Sequence, residues 1–222
     1  MLPSSTVENY LKALYQAEAA NDEKTLVPMG QLATAVKVAP GTATTMVKAL
    51  AESGLVEYEP YLGVRLSPPG AKLAALVLRR HRLIEQFLVE IMGMNWTEVH
   101  EDAEQLEHVV SDRLVERMDA MLGHPAVDPH GDPIPTAEGD MPAHQYHSLV
   151  TCPLGTQVRV IRVADQDASF LRFLEEQKLK PGQSVKVEAR DPVADSVQLR
   201  TGDKRRLTIG TKAASKLLIE VM

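Results

Sequence analysis

Residues 29–70 read MGQLATAVKVAPGTATTMVKALAESGLVEYEPYLGVRLSPPG, and their punctuation decides the N-terminal architecture. Two short helical patterns, Met29 to Val36 and Gly41 to Glu52, are separated by the tripeptide KVA, and Pro40 suits the first turn of the second. Ser53-Gly54 closes that helix, because glycine accepts the left-handed cap conformation. LVEYEP and GVRLSPPG then read as two strands joined by a turn at Pro60–Gly63. Upstream, residues 6–20 place Val7, Tyr10, Leu11, Leu14 and Tyr15 at helical spacing behind a Thr6 N-cap, followed by the charged turn NDEK. Helix, turn, helix and hairpin in this order predict a winged helix-turn-helix. The second short helix shows Thr42, Thr44, Thr45 and Lys48 on one face and Ala43, Met46, Val47 and Leu50 on the other, with Lys37 in the preceding turn. Small polar groups and cations beside an apolar packing face suit approach to base edges and phosphates, so double-stranded DNA is the expected partner.

The net charge of −6 is not spread evenly. Residues 76–122 hold ten acidic against five basic side chains, so this middle segment attracts cations. The sole cysteine, Cys152, excludes an internal disulfide framework and a cysteine-rich zinc site. No apolar run approaches a membrane span and MLPSSTVENY lacks a signal-peptide pattern, so a cytoplasmic protein without a membrane partner is expected.

Two longer helical stretches, 69–92 and 97–122, end at Gly93 and Gly123 and carry enough apolar surface to suggest a homodimer interface. On the second, with His100 at zero, Glu104 falls at about 40°, Glu107 at about −20° and His108 at about 80°. His81 and Glu85 stand one turn apart on the first. These oxygen and imidazole donors suit Mn(II), Fe(II), Co(II) or Zn(II). Extending the second helix places Leu114, Val115, Met118 and Leu122 on the ligand face, arguing against full solvation of that face. The competing readings are solvated charged helices on a constitutive winged-helix protein, and a metalloenzyme. HExxH, the Glu-x-x-His of di-iron bundles, a P-loop, a nucleophile elbow and a dinucleotide fingerprint are all absent, so neither catalysis nor a small organic substrate is expected.

From Gly123 to His147 the composition shifts to Pro, Gly, Asp and His, which reads as a linker. Beyond it QVRVIRVA, SVKVEARD, SVQLRT, RRLTIG and KLLIEV alternate as strands, interrupted by one helix near Ser169–Glu176. Five short strands predict an SH3-like barrel. The expected fold is mainly α with a small β part: a winged helix-turn-helix over 1–70, a helical metal-binding and dimerisation domain over 71–123, a linker over 124–147 and the barrel over 148–222.

ENYLKALY, PGTATTMVKALAESGLV, LRRHRLIEQFL, HEDAEQLEHVVSD and GDPIP together resemble the diphtheria-toxin-repressor family of iron- and manganese-dependent regulators, over essentially the full length. The resemblance implies a homodimeric repressor of metal homeostasis that binds a palindromic operator when metal is present. It implies a primary site at Asn9, Glu104, Glu107 and His108 and an ancillary site at His81, Glu85 and His100, with Asp165 and Asp167 as further candidates from the barrel. Iron-type members typically place methionine at the position of Asn9 and cysteine at that of Glu104. The harder donors here tilt the expectation to Mn2+, with Fe2+ as the alternative and Zn2+ or Co2+ expected to bind in vitro. A metal joining Asn9 of the first helix to the later ligands would fix the orientation of the DNA-binding module.

Overall fold

The structure is a computed structural model that describes residues 4–20, 25–142 and 146–222. The NDEK turn lies outside the described residues. Contacts divide the chain into two compact units, one running to His81 with Pro135–Met141, the other Arg82–Ile134 with Pro142–Met222.

In the first unit α1 (Ser5–Ala20), α2 (Met29–Ala35) and α3 (Pro40–Glu52) precede the antiparallel hairpin β1 (Val56–Glu59) and β2 (Gly63–Leu66). Their apolar faces meet in a core of Leu11, Leu14, Leu32, Val47, Leu50 and Val64. Ser4 rather than Thr6 starts α1: its carbonyl accepts from Glu8 N at 3.0 Å and its hydroxyl from Val7 N at 3.4 Å. The hairpin gains a third partner where Val27 and Val64 exchange backbone bonds of 2.8 and 3.0 Å. Gly63 permits that approach, since a Cβ there would lie 2.6 Å from the Val27 carbonyl oxygen.

Helix α4 (Pro68–Glu90) begins behind Ser67, whose hydroxyl accepts from Gly70 N at 3.2 Å. The division between units falls within it. The stretch 97–122, expected as one helix, is two: α5 (Val99–Leu106) and α6 (Asp112–Met121). Between them Val109 and Val110 disfavour helix through their branched Cβ atoms, and Ser111 is extended at φ −72° and ψ 151°. The expected continuous ligand-and-apolar face is therefore interrupted; Val115 is buried but Leu114 is exposed.

The segment 124–136 is no solvated linker, for Asp128, His130, Asp132 and Ile134 are buried. Beyond it an antiparallel sheet has the order β3-β8-β4-β5-β6-β7, with β3 (His147–Ser148), β4 (Gln157–Val163), β5 (Ser184–Asp191), β6 (Ser196–Thr201), β7 (Arg206–Gly210) and β8 (Leu217–Val221). All five expected strands are present, and β3 and the short α8 (Thr211–Ser215) are additions. The expected helix is α7 (Ala168–Gln177), and the sheet wraps a core of Val158, Val160, Leu171, Leu174, Val187 and Leu199. No helix among the described residues is long and apolar enough to cross a membrane.

Candidate metal centre and nucleic-acid interface

On α3 the buried Ala43, Val47 and Leu50 fix the orientation, leaving Thr42, Thr45 and Lys48 exposed and Thr44 half-buried. The Thr44 and Thr45 hydroxyls donate to the carbonyls of Pro40 and Gly41 at 2.9 and 3.0 Å. Their protons are thus committed to the helix, while lone pairs and methyl groups face outward as acceptors and apolar contacts. Lys37 is exposed with φ 56° in the turn before α3. This is a polar helix face flanked by two cations, suited to a major groove.

The second unit gathers most of the expected metal donors. His100 on α5 meets a carboxylate with each ring nitrogen: Nδ1 lies 3.1 Å from Glu85 Oε1 on α4, and Nε2 lies 3.7 Å from Glu104 Oε1 one turn along α5. Glu85 is completely buried. Glu107 caps the C-terminal end of α5, equally buried, with Oε1 3.4 Å from His108 Nε2. The helix break thus leaves two neighbouring groups along α5, Glu85–His100–Glu104 and Glu107–His108. A carboxylate in a dry interior needs a compensating positive charge. Imidazole nitrogens facing such carboxylates, with no thiolate among them, make a donor set that fits a divalent cation of the manganese or iron kind. Cys152 is elsewhere in this unit, buried in the sheet core beside Arg190.

His81 is buried on α4 one turn before Glu85, in the first unit, where Lys12 Nζ approaches its Nδ1 at 3.4 Å. Asn9 is exposed on α1. The two barrel candidates have other work. Asp167 caps α7, accepting from Ser169 N and Phe170 N at 3.0 and 3.1 Å, and Asp165 pairs with Lys216.

Sequence reasoning missed the polar loop that supports Glu85. Its second oxygen faces His130 Nδ1 at 3.6 Å, and His130 Nε2 donates to the Trp96 carbonyl at 2.9 Å. Asp128 folds the loop by accepting from His130 N and Asp132 N at 2.8 and 2.9 Å through one oxygen. Its other oxygen faces Arg82 Nε at 3.8 Å. Burial pushes the Asp128 carboxyl up to about 8, helped by the carboxylates of Asp132 and Glu85. His130 keeps a raised pKa although burial opposes its charge, because Glu85 and Asp128 outweigh that penalty. Asp132 pairs with Arg162 at 2.5 Å and accepts from Gln166 at 2.9 Å. The available signal was local: Asp128, His130 and Asp132 around Gly131 form an Asx-type turn, not a random polar tract.

Comparisons with known proteins match the chain segment by segment. Residues 3–64 match the iron-dependent repressor N-terminal DNA-binding domain, 67–136 its metal-binding and dimerisation domain, and 147–221 the FeoA domain. An HTH-type transcriptional regulator of Methanocaldococcus jannaschii is 35% identical over 115 residues, covering 52% of this chain and 90% of its own. The diphtheria toxin repressor of Corynebacterium efficiens is 34% identical over 131 residues, 59% of this chain; the chain spans only 55% of that repressor's length. Among solved structures, a manganese-dependent transcriptional repressor in complex with manganese shares 36% identity with a TM-score of 0.88, over 97% of this chain and 100% of that one. The zinc-bound repressor ScaR shares 30% with a TM-score of 0.80, over 99% and 100%. Both the DNA-binding and the metal-binding segments have their counterparts in these non-enzymatic regulators, and the chain belongs to the diphtheria-toxin-repressor family of metal-dependent transcriptional repressors.

Proposed function

We propose that this repressor responds to Mn(II), with Fe(II) as the second reading, and that its homodimer binds a palindromic operator to control metal homeostasis. The observation that carries the choice of metal is Glu104: a carboxylate 3.7 Å from His100, in a donor set that lacks a thiolate. The manganese-complexed relative, at 36% identity, supports it. Glu104, Glu107 and His108 with Asn9 would hold the sensing ion, and Glu85 and His100 with His81 a second, the two donor sets adjoining where Glu104 lies 3.7 Å from His100. When bound, the ion supplies the positive charge that the buried carboxylates require. Filling the site would select the arrangement of the recognition helices that fits successive major grooves. Thr42, Thr44, Thr45 and Lys48 then face base edges and phosphates, with Lys37 beside them.

Support for the dimer comes from Leu114 and Met121, 48% and 63% exposed two turns apart on α6. Metal-dependent operator binding, measured side by side with Mn(II), Fe(II) and Zn(II), tests the reading. Glu104→Ala should abolish the Mn(II) response while leaving the fold intact. Operator affinity indifferent to Mn(II) and to chelator would refute it.

A further inference from the structure

Lys12 and His81 are both buried, 5% and 4% exposed, and link α1 to α4 within the first unit. One turn away on α1, Glu8 pairs with Arg80 at 3.4 Å. Nδ1 of His81 lies 3.4 Å from Lys12 Nζ. An ammonium has three donors and no lone pair, so in this contact the imidazole nitrogen must accept. A neutral imidazole that accepts at Nδ1 carries its proton on Nε2. A metal requires an unprotonated nitrogen. As Lys12 holds it, the unprotonated nitrogen of His81 is engaged by the ammonium and the other nitrogen is protonated.

We infer that Lys12 is a tethered competitor for metal at His81, a built-in cation that raises the metal concentration at which the site fills. The inference rests on the proposed role of His81 as a ligand. Ligation through Nδ1 requires the ammonium to leave. Ligation through Nε2 requires the proton to move to Nδ1, which can then no longer accept from Lys12. Both routes break the same contact, so the Lys12–His81 bond and a His81–metal bond exclude each other. Charge works in the same direction, since the ammonium repels an approaching dication. The metal threshold of the repressor is thereby set by a residue that is not itself a ligand.

The test uses full-length protein stripped of metal, titrated with Mn(II) while the electron paramagnetic resonance signal of free aqueous Mn(II) is followed. Wild type, Lys12→Met, Lys12→Arg and His81→Ala are compared. Lys12→Met should bind Mn(II) tighter by roughly tenfold to a hundredfold, the worth of a hydrogen bond to a charged group. Lys12→Arg, which keeps a donor-only cation, should stay near wild type. Lys12→Leu, which also lacks a donor, serves where the methionine variant does not fold. A purely structural lysine would instead lower the melting temperature of Lys12→Met and leave Mn(II) affinity unchanged, which would overturn the inference. In metal-free wild type, long-range proton–nitrogen correlation should show His81 protonated on Nε2 and bare on Nδ1; the opposite tautomer would also overturn it. If wild type and His81→Ala bind Mn(II) alike, the proposed ligand role of His81 has failed, and the inference falls with it. If only Lys12→Met behaves as wild type, the ligand role stands and the competitor alone is refuted.

Discussion

Replacing Gly131 by alanine tests whether the loop behind Glu85 is a fitted part rather than a tether. Gly131 has φ +86°, where a side chain costs roughly 1–2 kcal/mol. An added Cβ would also stand 1.9 Å from the Ile161 carbonyl oxygen and 2.7 Å from Arg162 Cα. Ordinary contact begins near 3.4 Å, so the loop and β4 must part by about 1.5 Å, straining the 2.8 Å bond from Val163 N to the His130 carbonyl. Overpacking of this kind costs a further ~1–3 kcal/mol, giving roughly 2–5 kcal/mol in all. Gly123→Ala is the control: its φ is +72°, but nothing lies within 4 Å of the added Cβ, so only the conformational ~1–2 kcal/mol is expected. Denaturant unfolding followed by tryptophan emission reads both, because Trp96 is the sole tryptophan, is buried, and has its ring 5.6 Å from that of His130. Gly131→Ala should also shift the native emission. Equal stability losses in the two variants, with unchanged native emission, would refute the fitted-loop argument.

Three further outcomes are expected. Lys48→Ala should weaken duplex binding about equally across sequences and reduce the slope of log affinity against log salt by about 1, measurable by fluorescence anisotropy. Leu114→Glu combined with Met121→Lys should give a monomer in sedimentation velocity if α6 forms the dimer contact, and an unchanged mass would exclude it. The Ser169 hydroxyl and the Phe170 and Ser169 backbone N–H groups hold the Asp167 carboxyl below the usual carboxylate range. The unfolded chain takes up that proton first, so the stabilisation is present at neutral pH and lost as pH falls through the lowered value. Thermal melts of Asp167→Ala should run below wild type at neutral pH, with the gap closing only below about pH 4.

The winged helix could be read because its signals are local: apolar spacing sets Leu11, Leu14 and Val47 inward, and Pro40 and Gly54 mark the ends of α3. The barrel strands were legible for the same reason, since Val158 and Val160, or Val185 and Val187, alternate with polar neighbours. The break at Val109–Ser111 was not, because an amphipathic pattern continues across it and only backbone preference, a weaker force, interrupts it. The burial of Asp128, His130 and Asp132 escaped notice because composition prices each as solvent-seeking. Inside the fold each finds a partner in the loop backbone, Arg82, Arg162 or Glu85, and those partners are up to 46 residues away in sequence. Lys12 escaped for a related reason: a lysine on an amphipathic helix reads as solvated until its neighbour on α4 is known.

The interruption after α5 has an electrostatic consequence of its own. Had residues 97–122 formed one helix, Glu104 and Glu107 would lie in its middle, where the aligned peptide dipoles have little net effect. Ending α5 at Leu106 instead sets Glu104 in the last turn and Glu107 at the cap, with no basic residue in that turn. Unpaired carbonyls concentrate negative potential at a helix C-terminus, and a carboxylate there costs roughly 0.3–1 kcal/mol. Glu101 and Asp102, in the first turn, sit at the favourable end. The short helix is therefore polarised against itself at one terminus, and a cation bound there relieves both carboxylates and the dipole at once. With an ion held at the proposed site, metal occupancy and the integrity of α5 would become one equilibrium, so amide hydrogen exchange over Ala103–Glu107 should slow on metal binding more than exchange in α6.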